Sequence, residues 1–287
     1  MSPHPGSASS MARREGRRFA RPRGEDAEPE DEKSSRRILD EEIESGLVEL
    51  ERKASGLLLS GLSAGLDIGF GVIVMASVVE LGTGQFSELT LRMLVAGAST
   101  IGFVFVVLGR SELFTEHTTL AAIPVLARVA TVRRLLRLWG LVYVANLVGA
   151  FAFAALTAYV APALRVASPA AFHELARRLV DHDVAPMLLS AVLAGWLMGL
   201  VSWLVTAARD TTAKLLVVVL ITGVIGFAGF HHSILGAVEV ITGVLLAPDL
   251  RWPDALRFLA VATTGNAVGG VFFVALIKYG HASRGAG

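Results

Sequence analysis

The chain has 287 residues, of which 53% are hydrophobic and only 18% are Asp, Glu, Lys or Arg, and its formal net charge is +1. Its mean hydropathy of +0.60 is far above that of an ordinary soluble domain of this size and indicates an integral membrane protein. Because the chain has no cysteine, disulfides, thiolate nucleophiles and iron–sulfur clusters are excluded.

Residues 1–37 are predicted to form a disordered, charged cytoplasmic tail. Arginines are dense between Arg13 and Arg23, an acidic run follows from Glu25 to Glu32, and there is no apolar stretch that could act as a signal peptide. An arginine block is also typical of segments that bind nucleic acid or anionic lipid. The acidic run directly behind it argues against those partners, so no nucleic-acid partner is expected.

The rest of the chain is predicted to be helical and in contact with membrane lipid. Leu39, Ile43, Leu47 and Leu50 recur at helical spacing, which predicts an amphipathic interfacial helix over residues 38–55. A transport domain over 56–280 and a short cytoplasmic tail over 281–287 follow. A crossing needs about 20 mostly apolar residues, and the chain offers six such runs: 56–79, 91–109, 138–161, 186–208, 214–246 and 257–279.

Two of the six runs are irregular. The second stops at Gly109 and continues through "GRSELFTEHTT", and the fifth is too long and contains "HHS" in its middle. Non-helical backbone at membrane depth is tolerated only inside protein or beside a water-filled cavity. Helices 2 and 5 are therefore predicted to be broken and to face a pathway.

An internal duplication relates the two halves of the domain. "NLVGAFAFAAL" (146–156) and "NAVGGVFFVAL" (266–276) are identical at six of eleven positions, which defines repeats of about 56–161 and 186–279. Three spans per repeat is an odd number, so the second copy must be inverted, as in many transporters. Asn146 and Asn266 occupy equivalent positions and are predicted to satisfy backbone groups freed by the helix breaks.

Four segments carry a resemblance to a known family: "GRSELFTEHTT" (109–119), "LWGLVYVANLVGA" (138–150), "AGFHHSILGAVEV" (228–240) and "GNAVGG" (265–270). They resemble the formate/nitrite transporter family, in its divergent branch with a charged N-terminal tail. The resemblance implies an all-α, aquaporin-like protomer with three plus three helices, assembled as a homopentamer in a bacterial-type cytoplasmic membrane. It implies a channel for formate, nitrite, hydrosulfide or acetate-like anions or their conjugate acids, without enzymatic activity or a cofactor.

The same resemblance assigns a pore. It places the family's central histidine at His232 and its re-entrant loop at Leu113, Phe114 and Thr115, with the Thr115 hydroxyl bonded to the imidazole. It also implies that Leu113 forms an outer constriction.

Further along the pathway, the resemblance implies an inner constriction at Phe103 and Ile225. This sequence departs from the family pattern at two positions. The family's vestibule lysine falls near Asp183 and its fourth-helix asparagine near Gly199. A carboxylate repels an anion where lysine attracts one, so the departure at Asp183 affects the expected substrate.

Between apolar rings a bare anion faces a Born penalty of many kcal/mol. We therefore expect proton-assisted permeation, in which the anion takes or shares a proton at His232 and crosses as the neutral acid. Alternatives are a fixed histidine that shapes a pore for a neutral solute, a metal ligand, and a sensor or scaffold with a non-conducting pore.

The remaining polar residues have structural interpretations. Adjacent helical residues point about 100° apart, so His231 is expected to face a neighbouring helix if His232 faces the pore. Five residues are possible metal ligands: His117, His231, His232, Glu112 and Glu116. Because they show no HExxH-type spacing, no metal site is predicted.

Ionisable groups at membrane depth usually pair within the bundle. Arg110 is accordingly expected to bridge to Glu112 or Glu239 and to anchor the two broken segments. Basic residues at the predicted loops number eight inside and six outside, which favours cytoplasmic positions for both termini.

Overall fold

The structure is a computed structural model that describes residues 32–284, so most of the tail predicted at 1–37 lies outside the described residues. Within that range the protein is all-α, as predicted. Its elements are α1 (Ser35–Glu51), α2 (Ala54–Asp67), α3 (Gly69–Gly82), α4 (Glu88–Gly109), α5 (Phe114–Leu120), α6 (Ile123–Leu126), α7 (Val132–Ala163), α8 (Pro169–Val180), α9 (Val184–Ala207), α10 (Thr211–Ala228), α11 (Ser233–Leu246), α12 (Trp252–Val268), a π-helical stretch (Gly269–Leu276) and α13 (Ile277–Arg284).

Six helical stretches within residues 32–284 are long and apolar enough to cross a membrane, which confirms the six predicted spans. They are Ala54–Gly82, Glu88–Gly109, Val132–Ala163, Val184–Ala207, Thr211–Ala228 and Trp252–Arg284. The first joins α2 to α3 through Ile68, which keeps right-handed helical backbone angles. The shorter apolar helix α11 follows the fifth span, where the sequence predicted one long irregular run.

Left-handed residues end the helices that precede α5 and α11. Arg110 follows α4 with φ 56°, and Gly229 follows α10 with φ 69°. A residue in this conformation is a common helix terminator because it redirects the chain. Non-helical segments 110–113 and 229–232 then lead into α5 and α11.

Helix α1 begins three residues earlier than predicted and ends at Glu51. The Ser34 side chain caps it by accepting a hydrogen bond from the Arg37 backbone N–H. Its buried face contains Leu39, Glu42 and Leu50, together with Gly46, which approaches the α5 carbonyl of Leu120 so closely that a Cβ would lie 2.5 Å from it. The predicted position of α1 at a membrane interface remains a prediction.

Matching glycines let the two halves pack in the same way. Helix α2 contacts α7, and α9 contacts α12. A Cβ on Gly65 would lie 2.2 Å from the carbonyl oxygen of Asn146, and a Cβ on Gly195 would lie 2.2 Å from that of Asn266. Only a residue without a side chain allows these backbones to approach so closely.

Candidate functional site

The imidazole of His232 is fixed at the start of α11. His232 is the N-cap residue, and its Nδ1 accepts a hydrogen bond from the Leu235 backbone N–H at 3.1 Å. A nitrogen that accepts carries no proton, so this bond assigns the proton of the neutral ring to Nε2. The helix start therefore selects one tautomer.

The other ring nitrogen joins α11 to α5. Nε2 of His232 lies 2.8 Å from Oγ1 of Thr115, and the tautomer makes Nε2–H the donor. Thr115 is in the first turn of α5, so the bond connects the two short helices that follow the non-helical segments. The hydroxyl proton of Thr115 stays available for donation to another group. This is the contact implied by the resemblance.

The His232–Thr115 pair is buried, and an aromatic ring packs against it. The ring of Phe103 meets the His232 ring edge to face, with centroids 4.9 Å apart and planes at 89°. Leu113 and Ile225 are buried as well, and only 2% of His232 is exposed. The Nε2–H of His232 and the hydroxyl hydrogen of Thr115 thus lie in a dry, apolar environment, where electrostatic interactions are strong.

Phe114 packs away from this pair. Its ring contacts Trp139 and Tyr143 on α7, with centroid separations of 6.0 and 5.0 Å. In the described structure Phe114 therefore positions α5 against α7, while its neighbour Thr115 bonds to His232.

Asn146 on α7 holds the first non-helical segment in place. Its Oδ1 accepts from the Phe114 backbone N–H at 2.8 Å, and its Nδ2 donates to the carbonyls of Gly61 and Glu112 at 2.8 and 2.9 Å. The Phe114 N–H lies at the start of α5, where an intrahelical partner is missing, the Glu112 carbonyl lies in the non-helical segment, and the Gly61 carbonyl belongs to α2.

Asn266 on α12 makes the equivalent contacts in the second half. Its Oδ1 accepts from the Ser233 backbone N–H at 2.8 Å, and its Nδ2 donates to the carbonyls of Ala191 and His231 at 2.8 and 2.9 Å. The bonds of Asn146 and Asn266 correspond one to one. They match the backbone-satisfying task predicted from the duplication.

His231 lies against helices α8 and α9. Its Nε2 donates to the Leu179 carbonyl at 3.0 Å, and its Nδ1 lies 2.8 Å from Oγ of Ser190. Its ring also meets that of His182 at a centroid distance of 5.4 Å. Both nitrogens are thus used in contacts with neighbouring helices, in line with the orientation expected from its neighbour His232.

The ion pair expected from Arg110 is replaced by another. Arg110 is exposed, because the left-handed turn after α4 directs it outward, and no ion pair of this residue occurs within 32–284. Glu112 pairs instead with Arg52, which follows α1. Glu239 is buried on α11 and forms no ion pair with Arg110.

Two further predicted positions have other surroundings. Asp183 is exposed and is the N-cap residue of α9. Gly199 packs against α5 and the π-helical stretch, where a Cβ would lie 2.4 Å from Oγ1 of Thr119 and 2.7 Å from Val274. The fold leaves no room there for an asparagine side chain.

Glu42 is a buried carboxylate that the sequence did not predict. It accepts hydrogen bonds from Ser202 at 3.2 Å and from Thr206 at 2.6 Å. A signal was present, because Glu42 lies three residues after Leu39 and eight before Leu50 and so shares their face of α1. Burial raises its pKa to about 7 from an ordinary value of 4.5.

Comparison with known proteins adds three findings. A family model described as formate/nitrite transporter matches residues 36–280. The inner membrane protein YfdC of Escherichia coli is 33% identical over 243 residues, which cover 82% of this chain and 75% of that protein. A probable formate transporter of Methanothermobacter thermautotrophicus is 27% identical over 256 residues, which cover 82% and 92% of the two chains.

A solved structure has the same fold. It is described as a pentameric formate channel with formate bound, and it superposes with a TM-score of 0.68 at 23% identity, covering 79% of this chain and 96% of the other.

Proposed function

Since this chain belongs to the formate/nitrite transporter family, we propose that it is a channel for small monovalent anions or their conjugate acids, with a pore that passes His232. The observation that carries the proposal is the buried bond from His232 to Thr115, made where α5 and α11 meet, with the ring of Phe103 against the imidazole. Formate, nitrite, hydrosulfide and acetate-like ions are the proposed solutes.

The proposed permeation is proton-assisted. A bare anion loses its hydration between the apolar side chains, which is costly, whereas the neutral acid HX does not carry that penalty. At the centre, His232 donates its Nε2–H to the Thr115 oxygen, and the Thr115 hydroxyl donates a hydrogen bond to the solute. Because Nδ1 is engaged by Leu235, complete loss of the Nε2 proton would leave an imidazolate. The ring therefore shares its proton, and the proton that neutralises the anion comes from solution.

We further propose a homopentamer, in which each protomer has its own pore, in a bacterial inner membrane with both termini cytoplasmic. A pentameric channel with this fold and an inner-membrane relative support this arrangement.

A second candidate is a pore for a small neutral solute. It is favoured by one observation: both nitrogens of His232 are hydrogen-bonded within the protein, so the ring can serve as a fixed donor without titrating. The two functions differ in their dependence on pH.

Flux into proteoliposomes separates the two. Uptake of formate, nitrite, hydrosulfide and acetate is measured at about pH 5.5 and 7.5, against empty vesicles and against urea as a neutral solute. Acid uptake should exceed that of empty vesicles. For formate, nitrite and acetate it should rise by about tenfold per unit decrease in pH, as the concentration of HX does, and for hydrosulfide it should rise less, because most of it is already H2S at the lower pH. Uptake of urea without uptake of any acid would support the second candidate.

His232→Ala tests the role of the ring. The variant should lose most of the protein-dependent acid flux together with its pH dependence, because a hydrogen-bond donor is removed from the dry centre. His281→Ala, at an exposed position on α13, serves as the control and should behave as wild type. Unchanged flux and pH dependence in His232→Ala would contradict the proposed mechanism.

A further inference from the structure

A second group of ionisable side chains lies beside the segment that leads into α5. Glu49 comes from α1, Glu112 from the non-helical segment and His117 from α5, and one ligand atom of each lies within 4.8 Å of the others. Glu112 and His117 are only 5% and 4% exposed. Three potential metal ligands from three separate elements therefore converge.

Two atoms of this group lack partners. Within the described residues, Oε2 of Glu112 and Nδ1 of His117 are buried and form no hydrogen bond. A buried polar atom without a partner is costly, and each one calls for a specific explanation such as a bound ion. The sequence analysis predicted no metal site and did not consider Glu49, whose place beside Glu112 depends on how α1 packs.

We propose that Glu49, Glu112 and His117 bind one divalent transition-metal ion, of which Zn²⁺ is the representative. Two carboxylates and one imidazole form a donor set that suits Zn²⁺ and related ions, whereas Mg²⁺ and Ca²⁺ favour all-oxygen sites and Cu⁺ favours sulfur. Water completes the coordination.

Arg52 competes with the metal ion for the two carboxylates. Its guanidinium donates to Glu49 at 2.9 Å and also pairs with Glu112, so it neutralises the same carboxylates that the ion would use. A cation bound by both carboxylates repels the guanidinium. Binding of the ion therefore releases Arg52, and the arginine lowers the affinity for the ion.

The ion would connect α1 to the pore-lining segment. Glu112 directly precedes Leu113, and His117 is two residues after Thr115, which bonds to His232. An ion held by Glu49 thus fixes the position of the segment relative to α1. This is a regulatory site on a part of the fold separate from the permeation centre itself.

The experiment is a titration of the purified full chain in detergent, after treatment with a chelator, with Co²⁺ as the spectroscopic probe and Zn²⁺ as competitor. We expect one Co²⁺ per protomer, a visible absorption band, and displacement by Zn²⁺. Glu49→Gln and His117→Gln should each weaken binding by about tenfold or more. Glu44→Gln, an exposed position on the same helix, is the matched control and should bind as wild type.

The Arg52→Gln variant distinguishes a metal site from an ion-pair network that has only a structural role. Removal of the competing guanidinium should strengthen Co²⁺ binding, whereas loss of a structural pair alone would leave binding absent or unchanged. For the wild-type protein, X-ray absorption at the zinc edge should report nitrogen and oxygen ligands, which gives a result even if a variant fails to fold. A stoichiometry well below one, or equal affinity in wild type, Glu49→Gln and His117→Gln, would overturn the proposal.

Discussion

At the scale of single residues, the hydroxyl of Thr115 is the acceptor that the selected His232 tautomer requires. Thr115→Val keeps the shape of the side chain and removes this acceptor. An unsatisfied buried donor costs about 1–3 kcal/mol, so we expect a loss of that size in unfolding free energy and lower acid flux. Denaturation in detergent and proteoliposome uptake measure the two effects.

Thr115→Ser is the control for that change, because it retains the hydroxyl. It should stay close to wild type in flux and in its pH dependence. If the valine variant conducted acids as fast as the serine variant, the bond between Thr115 and His232 would have no role in permeation.

The buried carboxyl of Glu42 is expected to make the stability of the folded protein depend on pH. Its folded-state pKa of about 7 lies above the ordinary value of 4.5 because the carboxyl is buried, so the folded protein holds this proton more tightly than the unfolded chain. The associated stability is complete below about pH 4.5 and is lost as pH rises to about 7, with a total of about 3 kcal/mol.

Glu42→Gln should remove this component, because an amide does not titrate. Comparison of wild type and variant by thermal unfolding at about pH 4.5 and 8 measures it, with Glu44→Gln as an exposed control on the same helix. A Glu42→Gln protein that lost as much stability as wild type over this range would contradict the assignment.

At the scale of helices, Asn146 and Asn266 make equivalent sets of hydrogen bonds. Each makes three buried hydrogen bonds to backbone groups beside α5 or α11. We expect Asn146→Leu and Asn266→Leu to destabilise the protein by similar amounts, about 2–5 kcal/mol, since several backbone groups are left unsatisfied in each.

The loss of unfolding free energy is measured for the two leucine variants in the same detergent. The conservative changes Asn146→Gln and Asn266→Gln are measured beside them. Strongly unequal effects of the two leucine variants would show that the halves do not use their asparagines equivalently.

The asparagines also show what kind of feature the sequence can predict. Their pairing follows from a duplicated segment, and four of their six backbone partners belong to the breaks before α5 and α11, whose position the polar residues already indicated. The partner of Glu112 was not predictable in this way. Arg52 reaches Glu112 because α1 packs against α5 and α6, and no local pattern relates residues 60 positions apart.

A similar limit applies to the interior of the bundle. Gly199 was assigned to the pathway from a sequence correspondence, whereas the close approach of Thr119 and Val274 depends on helix packing. Periodicity identified the six spans, since apolar length alone decides a crossing. It did not identify which side chains of those spans meet.

At the scale of the molecule, the spans form an outer layer around α5 and α11. Each of the six spanning stretches exposes large apolar side chains, for example Leu59, Phe105 and Tyr159. In contrast, the first eleven residues of α11 are all buried. Apolar exposure on this scale is favourable toward lipid or toward another copy of the chain, so the short helices occupy the interior and the long ones the exterior.

This arrangement predicts the membrane topology, and the absence of cysteine makes the prediction simple to test with single-cysteine variants. Arg133 lies at the start of the spanning helix α7, Asp183 lies beyond that helix as the N-cap of α9, and both are exposed. With a cytoplasmic N-terminus and no crossing by α5 and α6, residue 133 follows two crossings and faces the cytoplasm, and residue 183 follows three and faces outward.

In intact cells, a membrane-impermeant maleimide should label Asp183→Cys, and it should label Arg133→Cys only after permeabilisation. The cysteine-free parent shows background labelling. Reversed labelling would mean either that the N-terminus is outside or that α5 and α6 together complete a crossing. An added N-terminal cysteine distinguishes these two cases, because it reacts in intact cells if the N-terminus is outside and stays protected if α5 and α6 complete a crossing. If the N-terminal cysteine stayed protected while Arg133→Cys reacted in intact cells, the segment between α4 and α7 would have to cross the membrane.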